Sequence, residues 1–155
     1  MDKIAPIDIL RFADDYLCAA LCVDKNIGQE SGYEIFAPNP VFYLTGLSIE
    51  LALKSFLLHN GISLNDLKAK YRHDLIKLLD KSKEYDIEKI VKIDAHDASA
   101  LLCFNKLFVG DDFRYIKPGE KEVPMFGYLG SFNIRLVRSL CEKFGYKSKC
   151  KTYSI

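Results

Sequence analysis

Residues 41–58 read Val41-Phe42-Tyr43-Leu44-Thr45-Gly46-Leu47-Ser48-Ile49-Glu50-Leu51-Ala52-Leu53-Lys54-Ser55-Phe56-Leu57-Leu58. The segment is apolar almost all round, which is the pattern of a helix buried at the centre of a bundle rather than laid on its surface. Asn39-Pro40 supplies a start, as an N-cap followed by proline at the first helical position, and Asn60-Gly61 supplies a stop. Two charges interrupt the apolar run. Glu50 and Lys54 stand four apart, acid first, the favourable order for a helical ion pair. Among apolar neighbours such charges are costly unless paired. The pair either locks the packing of the central helix or faces a cleft where it holds a ligand or partner group.

The flanking sequence predicts more helices. Pro6 opens one that runs to about Val23, with Ile7, Leu10, Leu17 and Leu21 at helical spacing. Residues 24–39, with Gly28, Gly32 and Pro38, read as a loop. Ser63 caps a short helix over 64–71, and further helices are expected near 74–85, 88–108 and 127–144, the last stopped by Gly145. Residues 110–124 break the pattern around Pro118-Gly119 and have room for a short extended piece. The expectation is an all-α, up-down bundle of four long helices plus a short one over residues 1–145. A basic, frayed tail is expected over 146–155.

Composition narrows the function classes. The 155 residues carry a net charge of +1 and 49% hydrophobic residues, so total charge does not imply coating of nucleic acid or membrane. The charge is uneven, however. Residues 1–34 hold seven acids against three bases, and residues 135–155 hold six bases against one acid. The five cysteines fit no zinc or disulfide framework, which suits a reducing compartment. Cys18 and Cys22 would need two further ligands to hold a metal, and none lies near them in sequence. With no apolar leader and no run of 18 apolar residues, a cytoplasmic chain without a membrane span is expected. No phosphate-cradling glycine loop, nucleophile elbow or paired histidines are present. The sequence therefore points to no metal, no cofactor and no catalytic residue.

Two further polar sites draw notice. Arg72-His73-Asp74-Leu75 marks a helix start, where His73 either caps neighbouring backbone or acts on a ligand. Arg114-Tyr115 sits in the 110–124 loop, where arginine and tyrosine either pack the loop or contact phosphates, bases or a protein partner.

Taken together, Glu50-Leu51-Ala52-Leu53-Lys54-Ser55-Phe56, then His73-Asp74-Leu75, then Phe113-Arg114-Tyr115 resemble the motif series of the HEPN-like superfamily of bacterial and archaeal helical bundles, over roughly residues 8–143. The resemblance implies a bundle of four to five helices, frequent homodimers, and links to RNA cleavage, nucleotide binding, defence and toxin–antitoxin systems. Glu50, Lys54, His73, Asp74, Arg114 and Tyr115 match the pattern by position. Ribonuclease members of the superfamily carry an Arg followed, after four to six residues, by a His. None of Arg11, Arg72, Arg114, Arg135 and Arg138 is followed by a histidine in that window. The expectation is thus a non-catalytic HEPN-like module that binds a nucleotide, RNA or protein partner. Two alternatives stand beside it: a divergent ribonuclease using His73 with Lys54 or Arg114, and a purely structural or interaction protein.

Overall fold

The apolar run forms the helix at the centre of the structure, a computed structural model that describes residues 3–150. Six helices follow in order: α1 (Pro6–Asn26), α2 (Asn39–His59), α3 (Leu64–Asp66, continued by a π turn over Leu67–Tyr71), α4 (Leu75–Glu84), α5 (Ala95–Val109) and α6 (Phe126–Phe144). The fold is all-α, and among the described residues there is no strand, including on either side of Pro118-Gly119.

Helix α2 buries side chains around most of its circumference, among them Val41, Phe42, Ile49, Ala52, Leu53, Phe56 and Leu57, while Leu44, Leu47, Leu51, Lys54 and Leu58 form one partly buried stripe. By length and composition alone it would cross a membrane, but 67% of that apolar window is buried inside the bundle, as the core helix of a bundle requires. Ser55 donates to Pro6 O at 2.6 Å and Ser48 donates to Ala13 O at 2.7 Å, so α1 runs antiparallel to α2. Helix α6 runs parallel to α2: Phe126 packs on Phe42 near their starts, and Phe144 on His59 near their ends. Ser48 has a single hydrogen and spends it on Ala13. The Asn133 amide 3.1 Å away satisfies both groups when its NH₂ faces the Ser48 oxygen. Gly46 lets α5 approach closely, since a Cβ there would stand 2.4 Å from the Phe108 ring.

The helix expected from Glu88 is shorter than its periodicity suggested. Ile87 and Val91 are buried at helical spacing, but they sit on a single 3₁₀ turn, Ile87–Lys89. Helix α5 begins at Ala95 because Asp94 and Asp97 form a reciprocal capping box, each carboxylate accepting the other's backbone N–H at 2.9 Å. At the start of α2, Pro38 is the cap residue rather than Asn39.

The frayed tail is also corrected. Gly145 ends α6 in the left-handed conformation, and the chain then folds back onto α1. Buried Asp14 accepts from Ser148 Oγ at 2.5 Å and from Lys149 N at 2.8 Å. A buried carboxylate needs such donors, and residues 146–150 supply them. The expectation for 151–155 lies outside the described residues.

Candidate functional site

Glu50 anchors the site. Its side chain is 5% exposed, and both oxygens are engaged. Lys54, one turn on, donates to Oε1 at 2.6 Å, and His73 Nδ1 lies 3.0 Å from Oε2. A carboxylate only accepts, so Nδ1 carries the hydrogen and Nε2 is left available on a ring that is 62% exposed. The buried acid therefore links a half-buried ammonium to an exposed imidazole.

Local backbone puts His73 there. The π turn Leu67–Tyr71 ends at Arg72, whose φ of +47° is costly for a residue with a side chain. That kink separates His73 from the start of α4 and turns it toward α2. His73 does not cap the helix as one sequence reading had it. Asp74 does, accepting from Lys77 N at 3.1 Å. Asp74 also accepts from Asn105 Nδ2 at 3.1 Å, while Asn105 Oδ1 accepts from Leu75 N at 2.8 Å. Asp74 is thereby committed to joining α4 to α5, and the sequence pattern gave no hint of Asn105 as its partner.

Arg114 reaches the same place from the 110–125 loop. Phe113 anchors that loop between the rings of Phe42 and Phe104, at 5.5 and 5.2 Å. Arg114 and His73 then line one small cavity of about 20 Å³ with Tyr43, Phe108 and Asp111. The guanidinium lies 5.3 Å over the exposed Tyr115 ring and 3.7 Å from Asp111. On the other side of His73, a wider hollow of about 360 Å³ is bordered by Lys70, Arg72, Asp74 and Lys77. Glu50, Lys54 and His73 thus form one chain of contacts, with Arg114 and Tyr115 beside its exposed end. The sequence reading missed Lys70, Arg72 and Lys77 as part of this surround. Their proximity to His73 in sequence was the available signal.

A second polar cluster lies across α1. The Asp14 carboxylate and the thiols of Cys18 and Cys150 come within 4.8 Å of one another, so the folded tail brings Cys150 to Cys18 and to Asp14, one helical turn before it. Burial pushes the Cys18 thiol well above its ordinary range, reinforced by its hydrogen bond to Cys150. Burial likewise pushes Cys141 up to about 12, with the Asp14 charge adding to it.

Comparison with protein-family models, with curated proteins and with solved structures returned no match for this chain.

Proposed function

We propose that the chain is a non-catalytic, HEPN-like binding module whose Lys54–Glu50–His73 relay presents the His73 imidazole to the phosphates of a nucleotide or RNA. The observation that carries this reading is the buried Glu50 carboxylate with one oxygen on Lys54 and the other on His73 Nδ1. An ion pair that served packing alone would be complete with Lys54. The second oxygen instead fixes the orientation of an exposed ring. Around that ring stand Arg114, Arg72, Lys70 and Lys77, cations suited to phosphate oxygens, with the Tyr115 ring available for stacking. Three of these cations already meet carboxylates at exposed positions, Arg114 on Asp111, Lys77 on Asp74 and Lys70 on Asp66, so a phosphate would take the place of those partners.

The test is fluorescence anisotropy with a 5′-labelled ribo-oligonucleotide, competed with ATP. Binding in the micromolar range is expected, weakening as salt rises. Loss of about tenfold in affinity is expected for His73→Ala and for Arg114→Ala. Absence of binding across varied oligonucleotides and nucleotides would leave the purely structural reading in its place.

The shared cavity of His73 and Arg114 favours a second reading, a divergent ribonuclease built on those two residues. Lys54 fits that role poorly, because its ammonium is held by Glu50. Cleavage of labelled RNA that disappears in His73→Ala would support the nuclease. Intact RNA throughout would remove it. The reading includes a cytoplasmic homodimer, in keeping with five free thiols. The exposed side chains of Tyr33, Ile35 and Met125 border one hollow among Asp24, Glu30 and Glu34, apolar groups that self-association would cover. Light scattering at micromolar concentration is expected to give twice the chain mass, and a monomer mass would remove the dimer.

A further inference from the structure

Beside Lys54, α1, α2 and the α3 turn line an open hollow of about 420 Å³. This is the size of a small-molecule site. Its walls are Ile9, Phe12, Leu51 and Leu67. Phe12, on α1, is 62% exposed at its mouth although Leu10 and Ala13 beside it are fully buried. Three ammonium-bearing side chains border this apolar space: Lys54, Lys68 and Lys3. Lys54 is 13% exposed and tied to Glu50, whereas Lys3 and Lys68 have no ion pair among the described residues. The one acid in the lining, Asp8, is already engaged, accepting from Ala5 N at 2.8 Å. An apolar hollow with unpaired cations at its rim complements an apolar body that ends in an anion.

We propose that this cavity binds a linear hydrocarbon carboxylate, its chain lying along Ile9, Phe12, Leu51 and Leu67 and its carboxylate taken by Lys68 and Lys3. A second copy of the chain fits the same face poorly. A two-fold contact there would gather both copies' Lys3 and Lys68 into one interface with Asp8 as the one acid of the lining to meet them. The site meets the His73 cradle only through Lys54, and its occupancy does not rest on the nucleotide reading.

Isothermal titration of the full chain with decanoate and, separately, with decyltrimethylammonium tests this. One decanoate per chain is expected, with the cationic amphiphile bound at least about tenfold more weakly. Lys68→Glu, an exposed position, is expected to weaken decanoate by about fivefold. Phe12→Asp is expected to weaken it by about tenfold. His73→Ala is expected to leave decanoate binding unchanged, which separates this site from the cradle. No heat with decanoate, or equal binding of the two amphiphiles, overturns the proposal. So does a dimer that Phe12→Asp converts to monomer without any decanoate binding, since the occupant is then a second copy.

Discussion

Asp14 and Glu50 are both carboxylates buried on long helices, and both are fully engaged, yet their surroundings differ in kind. Asp14 is closed off: its oxygens accept from Ser148 Oγ and Lys149 N, so its effect is to fasten the tail to α1. Glu50 is open at one end, because its second partner is a ring that is 62% exposed. Burial and full hydrogen bonding are thus equal at the two sites and cannot tell a structural acid from a site acid. What separates them is whether the last group in the network faces the interior or solvent.

The contrast sets the order of expected effects. Asp14→Ala removes the acceptor for two part-buried donors and releases residues 146–150. A loss of about 3 kcal/mol is expected in urea unfolding. Oligonucleotide affinity is expected to stay the same, and a tenfold loss there would erase the distinction between the sites. Glu50→Gln keeps the shape but leaves Lys54 without its counter-charge. About 2 kcal/mol of stability is expected to go, together with about tenfold in affinity. If only stability falls, Glu50 is a structural acid like Asp14.

The Asp14 region also predicts a response to alkali. Burial and the Asp14 charge raise the Cys141 thiol from an ordinary 9.0 to about 12. The unfolded chain therefore releases that proton at lower pH than the folded one. This contribution to stability is complete below pH 9 and is lost as pH rises toward 12. Thermal melts across that range are expected to show a falling midpoint, with a shallower fall in Cys141→Ala. The smallest effect on stability is expected for His73→Ala, about 1 kcal/mol, because the ring itself is largely exposed but its removal takes a donor from the buried Glu50 carboxylate. A loss of several kcal/mol there would make His73 a structural residue.

Much of the fold was legible because the deciding signals were local. The apolar run 41–58 made α2 central, and Ser63 accepts from Asp66 N at 3.1 Å as a cap should. Gly145 stops α6 with φ of +67°. The misread places are those where a local signal competed with another or where a distant partner decided. Ile87 and Val91 keep helical spacing, but the Asp94–Asp97 box resets the helix start. The lysine-rich tail looks like a solvated end until buried Asp14, more than a hundred residues away, offers an acceptor to its Ser148 hydroxyl and Lys149 N–H. At the site, Glu50 and Lys54 were legible as a pair because they are one turn apart. That His73 completes the chain depends on the strained turn at Arg72, which no periodicity reveals.

The central claim is that Glu50 holds the Nδ1–H of His73 and so aims Nε2 at a phosphate ligand, to which Nε2 donates when the ring is protonated on both nitrogens. Nitrogen-15 correlation spectra of the His73 ring, recorded with and without the ribo-oligonucleotide, test it most directly. The account predicts Nδ1 protonated in the free protein, an Nε2 resonance that moves to the protonated position on adding the oligonucleotide, and loss of the fixed Nδ1–H in Glu50→Gln. A ring protonated on Nε2 alone in the free protein, or an Nε2 resonance indifferent to the oligonucleotide, would contradict it.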